Sequence, residues 1–310
     1  MSAIEELASG LRVGHVGLGM HGTNVGSPKQ QVHDGDTITV RAIGNFGMRF
    51  LGVDAPEVSF TLPGNTNFTA ISDQKWETFL SNPLGPDIPL SANLRQHLQA
   101  SVGPGTATNH AHHAELAHRA LEQEVIDDMA ALQKNKEDFR FFLAFATETM
   151  DRYGRLLAFI NREQATDPRP LSYNERLLQK GLLSPYFIWP NVNPFRKQPS
   201  LIDAVIPPNT ANDAATADNT LHAARIAVSA ARQAEIGLFI KQNPLKLQPF
   251  ELRFLAQRRA PDRWVIDLSK NNDMLIKPEN YFTVQNVEDR LYIPREYVPL
   301  FVEAGWKRQP

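Results

Sequence analysis

Apolar positions change period several times along the chain, and each change predicts an element. Val32, Ile38 and Val40 alternate with polar residues, and Phe50, Leu51 and Val53 repeat the apolar signal. Gly44-Asn45 between them has turn chemistry, so residues 32–57 read as two antiparallel strands with acidic ends. Ala120, Leu121, Val125, Ile126, Met129 and Leu132 recur at helical spacing, and the histidines just before them, at 110, 112, 113 and 118, decorate the start of that helix. Residues 139–147, dense in aromatics, read as a buried strand. Residues 156–160 read as the next one, with Asp151-Arg152-Tyr153-Gly154-Arg155 as the turn between. Ser172 with Glu175 three positions on, closed by Gly181, bounds a short helix. An alanine-rich amphipathic pattern over residues 221–240 predicts another helix. Beyond Pro244 the pattern predicts strands at 250–255, 264–268 and 290–293 and a short helix at 297–304.

The stretches between these elements are of two kinds. Residues 58–109 are rich in proline and glycine, with one short helix expected around residues 73–80, and read as a long insertion. It is either a lid or substrate-selecting arm or a passive surface excursion, since loops tolerate length cheaply. Residues 191–219 read as linker. Gly17-Leu18-Gly19-Met20-His21-Gly22 matches the glycine spacing of dinucleotide binding, but Pro28 and the residues before it forbid the helix such a motif must open. It reads as a flexible lead-in.

Composition narrows the class. The chain has 310 residues with 42% hydrophobic content, ordinary for a globular protein, and no apolar run of membrane-spanning length. The absence of cysteine excludes disulfides and thiolate metal sites. Residues 1–10 show no secretory signal, so the expected location is the cytoplasm or a signal-independent export route. A formal net charge of −2 argues against coating nucleic acid through a broad basic face. It leaves room for gripping a single phosphodiester.

Candidate chemistry gathers on the first apolar runs. Asp34-Gly35-Asp36 has an ordinary turn reading, because glycine reaches positive φ and aspartate bonds its own backbone. Val53-Asp54-Ala55-Pro56-Glu57 adds two more acids where proline fixes the chain. Four converging carboxylates repel unless a cation joins them, and Arg49 beside them has no purpose unless an anion visits. Divalent cation, carboxylates and arginine together describe a phosphodiester site.

Asp34-Gly35-Asp36-Thr37, then Arg49 running into Val53-Asp54-Ala55-Pro56-Glu57, then Asp151 to Arg155, resemble in order and local spacing the staphylococcal nuclease (thermonuclease) family. The likeness covers roughly residues 28–60 and 110–242. It implies an α+β fold, a five-stranded oligonucleotide-binding-type β-barrel (OB-fold) with three helices. It also implies calcium-dependent hydrolysis of DNA or RNA, breaking the bond to the 5′ oxygen. By this resemblance Arg49, Glu57 and Arg155 are catalytic, and Asp36, Asp54 and the Ala55 carbonyl hold Ca2+ with Asp34 ordering its water. Arg152, Tyr153, Tyr186, Phe187 and Trp189 would contact substrate, although the last three rings read equally well as core. The expected organisation is a lead-in (1–27), a nuclease domain (28–243, insertion 58–109) and an extension (244–310) of no assigned function. A barrel that has lost catalysis and only binds nucleic acid or protein is the alternative.

Overall fold

The alternation over residues 32–42 does produce strand, but with a different partner from the one expected. Val40–Ala42 pairs antiparallel with Val16–Leu18, in the glycine-rich stretch. Met20–His21 then turns back on Asn24–Val25 through Gly22 at φ 62°. The glycine motif is therefore a ribbon of paired strand. Close approach explains Gly19: a Cβ there would lie 2.6 Å from the Thr39 side chain. Pro28–Gln31 forms only one helical turn, with proline at its start.

The structure is a computed structural model that describes residues 3–6, 12–14, 16–32, 37–42, 44–151, 153–166, 168–193 and 198–310. It is a mixed α+β chain in two bodies. The smaller comprises Met1–Arg49 and Glu148–Ala158, and the larger Phe50–Thr147 and Phe159–Pro310. Strands run two to seven residues and join in sheets of two or three, with no closed barrel among the described residues.

In the smaller body the Asp151–Arg155 turn is as expected. The Gly154 N–H donates to the Asp151 carbonyl at 3.0 Å, and Gly154 sits at φ 78° where an added Cβ would meet Ile4 at 2.7 Å. Leu156 N–H donates to the Gly47 carbonyl, 2.9 Å away.

The larger body has two cores. One gathers Val53, Leu177, Leu183, Phe187 and Trp189 with Val228, Ile266, Leu291 and Phe301. Its sheet places Arg290–Ile293 between Phe187–Ile188, parallel, and Trp264–Asp267, antiparallel. The other core joins residues of the expected insertion (Ile71, Trp76, Leu80, Leu94, Leu98) to residues of the expected extension (Leu247, Leu252, Leu255, Val265). Trp76, Leu80, Leu94 and Leu98 are wholly buried, each contributing roughly 1.5–3 kcal/mol. The insertion thus holds two helices, Gln74–Ser81 and Ala92–Gln99, capped by Asp73 and Ser91. The second went unforeseen, as did Ala211–Ala217 in the expected linker.

Residues 250–255, expected as strand, are instead the helix Pro249–Ala256. Gln248 and Glu251 form a reciprocal cap and Pro249 takes the first helical position, start signals that outweigh the β-rich composition. Trp264–Asp267, Arg290–Ile293 and Val298–Glu303 form where their patterns place them.

Candidate active site

Asp54 ends the two-residue strand Val53–Asp54, which pairs antiparallel with Ser184–Pro185 so that Asp54 faces Ser184. Its carboxylate is 1% exposed. Burial on that scale demands a counter-charge, and Arg253 supplies it from the helix Pro249–Ala256, 199 positions away in the sequence. Nη1 donates to Asp54 Oδ1 at 2.9 Å and Nη2 to Oδ2 at 2.7 Å, a two-pronged pairing. Nη1 also donates to Glu57 Oε1 at 2.6 Å. Burial works against the charge on Arg253, but Asp54 and then Glu57 outweigh it and push its pKa above the ordinary value.

The turn that presents Glu57 is pinned from behind. The Glu57 N–H donates to Nε2 of His110 at 2.8 Å, so His110 carries its proton on Nδ1. His110 is fully buried, and burial holds its pKa down to about 4. The Leu247 backbone and Asp54 raise it, while Arg253 and His113 lower it. Next to it on the helix Thr106–Ala131, Asn109 Nδ2 donates to Asn243 Oδ1 and to the Pro244 carbonyl, and the Lys246 N–H donates to Asn109 Oδ1. His113 Nε2 lies 2.9 Å from the Asn243 carbonyl. The histidine-rich stretch is thus a clamp, with His110 and His113 buried rather than decorating the helix surface. On the other flank, Ser184 Oγ donates to Gln248 Oε1 at 2.6 Å, tying the cap of the Arg253 helix to the strand beside Asp54.

The remaining expected residues fall into separate settings. Arg49, in the smaller body, lies half-buried on the strand Met48–Phe50. Arg155, in the same body, is held by Asp151 through Nε at 2.8 Å and Nη2 at 2.7 Å, with its guanidinium carbon 5.4 Å from the Tyr153 ring. The Asp151 carboxylate also accepts from the Tyr153 and Arg155 N–H groups, so one acid orders both turn and arginine. Tyr153 is exposed. Asp34, Asp36 and Arg152 lie outside the described residues.

Tyr186, Phe187 and Trp189 are 6%, 3% and 2% exposed and serve the core. Tyr186 stacks on Phe250 with ring centres 5.5 Å apart and accepts from Arg263. Trp189 donates to the Ala204 carbonyl and packs edge-on against Phe301. None presents a face on which a base stacks. The cavity between Tyr186, Arg253 and Arg263 has a volume of about 50 Å³, room for water but far below the several hundred cubic ångströms of a nucleotide pocket.

Of the residues expected around calcium, Asp54 and Ala55 lie among the described residues and Asp34 and Asp36 do not. Among the described residues no three acid, histidine or cysteine side chains gather as a ligand set, and both Asp54 oxygens already accept from Arg253. As arranged, the described residues do not fit a divalent cation. Arg253 itself was missed by local pattern reading. One available signal was a lone arginine among Leu252, Phe254 and Leu255, a charge in a buried stretch that requires an acid elsewhere.

Fold and site together define a mixed α+β protein in which a carboxylate pair is closed by an arginine fork. The chain is similar to Endonuclease YhcR of Bacillus subtilis (strain 168), 22% identical over 289 residues. That match covers 87% of this chain but spans only 17% of the relative's length. No family model matches the chain, and no solved structure matches it.

Proposed function

We propose that the chain is a nuclease that hydrolyses phosphodiester bonds of DNA or RNA. The observation that carries the reading is the turn from Asp54 to Glu57, which fixes two carboxylates on one guanidinium in a chain similar to a protein named as an endonuclease. The thermonuclease-like motifs support it further, and the OB-type barrel they imply is part of the proposal.

In this reading Glu57 acts on the attacking water. The water oxygen bonds to phosphorus, its proton passes to Glu57, and the bond to the 5′ oxygen breaks, the leaving oxygen taking a proton from solvent. Glu57 is suited to this because its side chain keeps 21% exposure while Asp54 is sealed. Asp54 acts through Arg253 and is a positioning residue. Arg49 and Arg155 neutralise charge growing on the phosphoryl oxygens, a task for a planar guanidinium that never loses its proton. Asp151, by setting the Arg155 side chain, limits the entropy lost when it meets phosphate.

The test is hydrolysis of denatured DNA and of RNA by the wild-type chain and by Glu57→Gln, each with calcium and with chelator. Wild-type cleavage that falls on the order of a hundredfold in Glu57→Gln supports the reading. Equal rates in the two, or no wild-type cleavage, overturn it. Burial of Asp54 beneath Arg253 favours a second reading, a non-catalytic nucleic-acid-binding module. Binding of the same substrates without cleavage would establish that one.

A further inference from the structure

A guanidinium occupies both oxygens of Asp54, where the resemblance expects a metal, and reaches Glu57, which the resemblance makes catalytic. Its hydrogen bonds reach both oxygens of Asp54 and one of Glu57, and its positive charge opposes a hard cation at the same oxygens. An arginine cannot be titrated away from them near neutral pH. Neighbours hold both partners in place. Ser184 ties the cap of the Arg253 helix to the strand opposite Asp54, His110 holds the Glu57 backbone, and Asn109 holds the segment that leads into the Arg253 helix. The cavity beside Arg253 is lined also by Arg259, Arg263 and Asp262, two positive charges against one negative, so the balance opposes a swing of the side chain into it.

We propose that Arg253 is the resident cation of the Asp54–Glu57 pair, and that neither carboxylate ligates a divalent ion while Arg253 is in position. The inference rests on the reading of this pair as the site, but not on the nuclease activity.

The experiment is calcium titration of the full chain by calorimetry, with thermal unfolding in calcium and in chelator as a second readout. Four proteins are compared: wild type, Asp54→Asn, Arg253→Gln and the double variant Arg253→Gln/Asp54→Asn. Calcium affinity of the wild type is expected to be the same as that of Asp54→Asn, because Asp54 is not a ligand. Arg253→Gln is expected to gain a calcium site at least about tenfold tighter than anything in the double variant, with a matching rise in unfolding temperature. A wild-type calcium affinity that drops about tenfold or more in Asp54→Asn overturns the proposal. So does an Arg253→Gln protein that folds yet gains no site. Should Arg253→Gln fail to fold, the comparison of wild type with Asp54→Asn decides alone. An absence of hydrolysis would sink the nuclease reading without altering these binding results.

Discussion

Arg155 and Glu57 carry the sharpest consequences for single side chains. Replacing Arg155 by lysine keeps the charge but loses the planar fork and the Nε contact to Asp151. Turnover of denatured DNA is expected to fall by on the order of a hundredfold, with far-ultraviolet circular dichroism unchanged; near-normal turnover would remove Arg155 from the chemistry. His110 predicts a pH response. Its folded pKa of about 4 lies below the ordinary 6.5, so the unfolded chain binds a proton that the folded chain refuses. The stabilisation is therefore complete above about pH 6.5 and lost as pH falls toward 4, on the order of 3 kcal/mol in all. Urea unfolding across that range should show a wild-type advantage over His110→Gln that shrinks on acidification. At this scale the sequence was legible where function is local. The acids at 54 and 57 and the turn ending at Arg155 could be read directly. Arg253 and the clamping role of His110 could not, because each exists only through a partner tens to hundreds of positions away.

Among elements, the helix Thr106–Ala131 shows how a long amphipathic pattern can hide polar anchors. Its far end carries Glu124 and Asp128, both buried, and Arg176 of the helix Tyr173–Gln179 bridges them at 2.6 Å each. Arg162 adds a second bond to Asp128 at 2.9 Å, and Lys180 reaches Glu124. Burial raises the Asp128 pKa, but Arg176 and its neighbours win and set it below the usual carboxylate value. Removing Arg176 takes the shared cation from two buried acids and leaves each with a single partner, so Arg176→Ala is expected to cost about 3 kcal/mol in urea unfolding. Lys180→Ala, at an exposed amine, is expected to cost about 1 kcal/mol or less. Helix limits were legible where caps were written into the chain, as at Ser172 with Glu175. They were misread at Pro249–Ala256, where aromatic and leucine content suggested strand. The reciprocal cap of Gln248 and Glu251 was the better guide.

On the scale of the whole molecule, the insertion and the extension meet in one core. Trp76, Leu80 and Leu98 pack with Leu247, Leu252 and Tyr292, partners no local pattern could pair. Deleting residues 244–310 would expose that core and remove Ile266, Leu291 and Phe301 from the other. A chain ending at residue 243 is therefore expected to lose its cooperative thermal transition and to bind a hydrophobic dye, rather than to keep a folded nuclease domain. Survival of a sharp transition would show the extension to be dispensable. The pairing of Arg253 with Asp54 has a consequence in time as well. A chain growing on the ribosome displays its acidic turn some 199 residues before the matching guanidinium is synthesised. Through that interval the negative charges stay hydrated, and the larger body cannot close around them until Arg253 has emerged.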